Sequence, residues 1–151
     1  VEHGLKNNLV KELKNNDSFF AWNFIYMEPS PHIELFYAYA IQNYTEINEL
    51  FTALEENQET KALMDALFIN FRVLKGHALG LEFKSIASMA HVLEDVFRAI
   101  SEGEVKLNLV ILIEIKRGIH TLEKLIESIK SEEKVSFLVC KARLGSILSE
   151  L

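Results

Sequence analysis

Cysteine, proline and glycine are scarce in this chain. Its 151 residues include one cysteine, Cys140, so there is no internal disulfide and no second cysteine to complete a metal motif. This usage suits a reducing compartment. Only two prolines and six glycines are present in a chain that is 49% hydrophobic, which disfavours disordered, collagen-like and turn-rich β proteins. Helix is therefore the expected main secondary structure.

A basic excess and a long apolar run are missing as well. Sixteen Lys and Arg residues stand against 22 Asp and Glu, for a net charge of −6, so no basic field favours nucleic acid or an anionic membrane. No stretch approaches the roughly 18 apolar residues of a membrane-spanning helix, and no signal-peptide pattern opens the chain. We expect a cytoplasmic protein with no nucleic-acid partner and no membrane insertion. Because its first residue is Val rather than Met, we also expect a piece of a longer polypeptide.

The two prolines, Pro29 and Pro31, suggest a boundary near residue 32, because proline disfavours helix in the residue before it. Residues 1–32 would then hold one short helix, built on apolar residues between Leu5 and Leu13, and an aromatic linker at residues 19–27. The linker has no clear period, and helix, strand and extended strap remain open for it. Residues 33–151 would form the second part of the chain.

Apolar residues at helical spacing predict five helices after Pro31. Four of them span about residues 33–57, 60–79, 83–101 and 107–130. The last is expected to begin near Ser131, as an N-cap followed by the acidic residues Glu132 and Glu133. The predicted fold is all-α: an antiparallel four-helix bundle with an additional N-terminal helical segment and a C-terminal helix.

Polar residues interrupt the apolar pattern on the second and third of these helices. Arg72, Lys75, Gly76 and Leu79 fall at i, i+3, i+4 and i+7, hence on one helix face. His91 and Glu94 lie at i and i+3 on the next helix. In an antiparallel hairpin the two sets of residues would meet.

These residues carry a resemblance to a known family. The runs Phe71-Arg-Val-Leu-Lys-Gly76 and Ala90-His-Val-Leu-Glu94, together with Phe83, resemble the histidine phosphotransfer domains, most closely those of chemotaxis-type histidine kinases. The resemblance covers about residues 44–130. It implies a four-helix signalling module that works with a response-regulator receiver domain or a histidine kinase domain.

One departure from the family changes the expected function. Where the family has its phosphorylated histidine, three residues before the lysine, this chain has Arg72. Neutral imidazole offers a nitrogen lone pair that can accept a phosphoryl group from a receiver aspartate. Arginine stays protonated and presents only donors. The resemblance therefore implies a degenerate, non-catalytic docking module that uses Arg72, Lys75, Gly76 and Leu79, with an ion pair between Arg72 and the supporting residue Glu94.

Other interpretations remain open at this point. His77 or His91 could serve as a substitute phosphoacceptor, although His77 lies about 140° around the helix from Arg72, and we expect His91 to be a partly buried supporting residue. A structural dimerisation or linker bundle is a further alternative. We expect no metal, no cofactor and no enzyme activity. A glutamate, Glu82, also replaces the family's glycine before Phe83, which puts the end of the second helix in question.

Overall fold

The computed structural model describes residues 31–56 and 60–149, and this part of the chain is helical with no strand. All-α architecture is thus confirmed for it. The predicted N-terminal helix and aromatic linker lie outside the described residues, and the division at residue 32 stays a prediction. The five helices are α1 (Pro31–Glu55), α2 (Lys61–Gly80), α3 (Lys84–Ser101), α4 (Leu109–Ser131) and α5 (Leu138–Ser149).

The bounds of α1 to α4 lie within two residues of those predicted from the apolar spacing. Side-chain caps begin two of these helices. Thr60 Oγ1 accepts a hydrogen bond from the N–H of Leu63 at 3.2 Å, and Asn108 Oδ1 accepts one from the N–H of Ile111 at 2.9 Å. Each cap satisfies a backbone donor that the first helical turn leaves free.

The predicted start of the last helix is wrong. Ser131 is the final residue of α4, and Glu132 follows it in the left-handed conformation with φ 59°, donating its N–H to the carbonyl of Ser128. α5 begins only at Leu138. A serine followed by two glutamates fits an N-cap, but here the apolar stripe of α4 continues through Ile126 to Ile129 and keeps Ser131 in its last turn.

Contacts between the helices make the first four an antiparallel bundle. Near the start of α1, the ring of Tyr39 lies 5.8 Å from that of His77 near the end of α2. At the other end of α1, Glu55 pairs with Lys116 in the first half of α4 at 3.1 Å. In the core, the rings of Phe71 on α2 and Phe97 on α3 stack with centroids 5.6 Å apart. The predicted bundle is therefore confirmed in the described residues.

α5 packs outside the four-helix core, against α3 and α4. Its one fully buried residue, Leu144, reaches into the core at Gly118 of α4. A Cβ atom at Gly118 would lie 2.7 Å from Leu144 Cδ1 and 3.1 Å from Leu93 Cδ2. Because Gly118 has no side chain, α5 can bury Leu144 against α4. None of the described helices combines the length and apolarity needed to cross a bilayer.

Candidate functional site

The antiparallel hairpin of α2 and α3 carries a partly buried ion pair. Lys75 Nζ lies 2.5 Å from Glu94 Oε2, with side chains 24% and 9% exposed respectively. The contact is an ion pair rather than a well-directed hydrogen bond, since Oε2 has no hydrogen-bond partner among the described residues. Glu94 is the one charged residue in the buried core of the part described. The sequence prediction that the polar groups of the two helices meet is confirmed by this pair.

The prediction of an ion pair between Arg72 and Glu94 is wrong. Glu94 pairs with Lys75, while Arg72 is exposed and has no ion pair among the described residues. Helix geometry explains the difference. At about 100° per residue, Lys75 lies about 60° and Arg72 about 120° from the middle of the buried stripe of α2. Lys75 therefore sits at the edge of the helix that faces α3, whereas Arg72 is carried out into solvent.

Arg72 lies within an exposed, largely apolar strip of α2. Ile69 is 55% exposed, Val73 41% and Leu79 58%, and a Cβ at Gly76 would have nothing within 4 Å. We call Ile69, Arg72, Val73, Gly76 and Leu79 the α2 face. Scattered exposed apolar residues are ordinary, but three on one side of one helix, around a bare glycine, leave a surface that another protein can cover.

Two members of the α2 face, Ile69 and Val73, were missed in the sequence reasoning. The sequence pattern could have identified them, because Ile69 and Val73 are apolar residues on the side of α2 opposite its buried stripe. An amphipathic helix normally places polar residues there. Leu79 was included in the predicted docking set, and the structure leaves it exposed.

The two histidines offered as substitute phosphoacceptors are both exposed. His77 stands beside Tyr39 of α1. His91 Nε2 lies 3.1 Å from Asp95 Oδ2, and Asp95 also accepts a hydrogen bond from Arg98 at 3.0 Å. The expectation that His91 is partly buried is wrong, because it projects from the outer side of α3. Neither histidine pairs with Glu94, whose ionic partner is Lys75.

The turn between α2 and α3 closes with Glu82 as the residue that follows the C-cap of α2. Phe83 donates its N–H to the carbonyl of Ala78 at 2.9 Å, and Glu82 donates to Leu79 at 3.2 Å, which is the Schellman pattern of helix ends. That pattern places Glu82 in the left-handed conformation, with φ 62°. A side chain is disfavoured there, so the turn keeps its shape at a cost in stability.

A second cluster fixes the opposite end of the hairpin. Ser101 Oγ donates to Asp65 Oδ1 at 2.6 Å, and Lys61 Nζ lies 3.2 Å from Asp65 Oδ2. The Ser101 hydroxyl, followed by Lys61, lowers the pKa of Asp65 from its ordinary 3.8. These bonds tie the start of α2 to the end of α3 and so help hold the register that brings Lys75 to Glu94. The described part of the chain contains no cluster of three or more His, Cys, Asp or Glu side chains that could hold a metal ion.

Comparison with known proteins shows a similarity to a chemotaxis protein. No family model matches the chain. Over 68 residues, or 44% of its length, the chain is 32% identical to the chemotaxis protein CheA of Borreliella burgdorferi. The chain spans 8% of the length of that protein. The match supports a relationship to a region of a chemotaxis protein, while the narrower assignment to histidine phosphotransfer domains stays a prediction.

Proposed function

We propose that this chain is a phosphotransfer-like docking module of two-component signalling. It binds a receiver domain or a histidine kinase domain through the α2 face and does not itself accept a phosphoryl group. In this proposal the module works in the cytoplasm, without cofactor, metal or enzyme activity. The similarity to the CheA protein supports the signalling context.

The observation that carries the proposal is the exposed side chain of Arg72 within the α2 face. Arg72 stands where the resembled family has its phosphoacceptor, and it has no lone pair with which to attack phosphorus. Glu94, the residue that supports the phosphoacceptor in the family, pairs with Lys75. In this proposal the chain has the docking surface and the supporting charges of a transfer site, with Arg72 in place of the nucleophile.

The α2 face is suited to protein contact. Ile69, Val73 and Leu79 offer apolar area that a partner would remove from water. Gly76 lets a partner approach the helix backbone, since nothing in the chain itself fills the space beside it. Binding without transfer would make the module a competitor or a scaffold for phosphotransfer between other domains.

The test is a phosphotransfer assay with the full chain and the Arg72→His variant. Each would be mixed with a panel of phosphorylated receivers and kinases, and phosphate would be detected by intact-mass analysis at neutral pH. We expect phosphate on the Arg72→His variant only. Phosphate on the wild-type chain, mapped to His77 or His91, would contradict the non-catalytic role and favour the alternative of an active transfer domain.

Self-association is a second candidate function, favoured by a different surface. Leu109 and Val110, at the start of α4, are 72% and 69% exposed. A structural dimerisation module would bury such residues against a second copy. Sedimentation of the chain across a range of concentrations tests this candidate, and a monomer at all concentrations would contradict it.

A further inference from the structure

Of the five Lys and Arg side chains on the hairpin of α2 and α3, Arg72 and Lys84 have no ion pair among the described residues. On the same hairpin, Lys75 pairs with Glu94, Arg98 with Asp95 and Lys61 with Asp65. Arg72 has no such pair among the residues described. It therefore adds a positive charge to the otherwise apolar α2 face.

The chemistry of this cation matches one kind of group. Guanidinium is planar, and its N–H donors match the oxygens of a phosphoryl group two at a time. Such contacts are short, charge-assisted and directional, whereas contacts between apolar side chains are not directional. Ile69 and Val73 can thus contribute affinity, but they cannot sense whether a partner carries phosphate.

We propose that the α2 face selects receiver domains whose aspartate is phosphorylated, with Arg72 binding the phosphoryl oxygens. This inference rests on the proposed docking function and adds that binding depends on whether the receiver is phosphorylated. No bond forms or breaks, because Arg72 only donates hydrogen bonds and the phosphoryl group stays on the receiver. The module would hold an activated receiver, whereas a histidine at position 72 would discharge it.

The expected preference follows from the exposure of Arg72 in the free chain. An exposed ion pair contributes little, because water screens it. Docking covers the α2 face and removes part of that water, so the contact with phosphate gains strength. We expect the chain to bind the phosphorylated form about tenfold more tightly than the unphosphorylated form.

The experiment measures the dissociation constant of the full chain for receiver domains with and without beryllofluoride, a stable mimic of aspartyl phosphate. Arg72→Gln and Arg72→Lys are compared with Arg143→Gln, which changes an exposed arginine on α5. We expect the preference to fall to near unity in Arg72→Gln, to be partly kept in Arg72→Lys and to be unchanged in Arg143→Gln. Circular dichroism checks that each variant is folded.

The possible failures separate the two proposals. Equal affinity of the wild-type chain for both receiver forms would overturn the selection by Arg72 and leave the docking function in place. A preference that survives in Arg72→Gln would overturn the role of Arg72 in the same way. If neither form binds the wild-type chain, the selection fails, and so does the proposal that the α2 face docks a receiver domain.

Discussion

Replacing Lys75 by methionine removes the cation that neutralises the nearly buried Glu94 carboxylate. With Glu94 only 9% exposed, few water molecules can take the place of the ammonium group. Breaking a buried pair by removing one partner costs about 3–5 kcal/mol. Since Lys75 is itself 24% exposed, we expect the lower end, about 3 kcal/mol, in the free energy of unfolding. Urea denaturation gives this value from the shift in midpoint at constant slope.

The double variant Lys75→Met/Glu94→Leu separates the ion pair from the packing around it. Replacing both partners by apolar residues removes the unpaired charge, so we expect stability within about 1 kcal/mol of wild type. The double-mutant cycle should then show a coupling of about 2 kcal/mol or more. Lys116→Met is the matched control, because Lys116 and Glu55 also join two helices but are both exposed, and it should cost less than about 1 kcal/mol. A cost for Lys75→Met no greater than that of Lys116→Met would refute the reasoning.

Three further predictions concern stability. Glu82→Gly should raise the free energy of unfolding by about 1 kcal/mol, because it relieves the left-handed backbone at φ 62°, and an unchanged urea midpoint would contradict this. Gly145→Ala should stabilise α5 by about 0.5–1 kcal/mol, because nothing lies near the added methyl group. Gly118→Ala should destabilise the chain by about 1–2 kcal/mol, because the added methyl group would clash with Leu144 and Leu93. Similar shifts in melting temperature for the two variants would rule out the close packing at Gly118. The pKa of Asp65 in the folded chain lies below its ordinary 3.8, so the contribution of Asp65 to stability is present above pH 3.8 and is lost as the pH falls through the folded pKa. Ser101→Ala should raise the pKa of Asp65 in an NMR titration. An unchanged pKa would exclude the Ser101 hydrogen bond as the cause of the shift.

The sequence predicted the four bundle helices well because their boundaries depend on local features. Apolar residues repeat at helical spacing, and residues such as Thr60 and Asn108 cap the first turns. The start of α5 depended instead on tertiary packing. Leu144 packs against Gly118, which is distant in sequence, and the residues around Ser131 carry no information about this contact.

The sequence predicted that polar residues of α2 and α3 meet, but not which of them form the ion pair. Spacing placed Arg72, Lys75 and Glu94 near one another across the hairpin. Which cation reaches Glu94 depends on a rotation of about 60° around α2 and on how close α3 approaches, and neither is readable from spacing alone. Ile69 and Val73 were missed because apolar residues in a helical pattern are first assigned to the core.

The central claim is that the chain binds its partner through the α2 face, and the most direct measurement compares two exposed valines. Val73→Asp places a charge in the α2 face, and Val110→Asp places the same charge on the exposed start of α4. Affinity for a receiver domain would be measured by isothermal titration calorimetry for wild type and both variants. The account predicts at least about a tenfold loss for Val73→Asp, since a charge would be buried without a partner, and little change for Val110→Asp. Full affinity in Val73→Asp, or a loss confined to Val110→Asp, would contradict it.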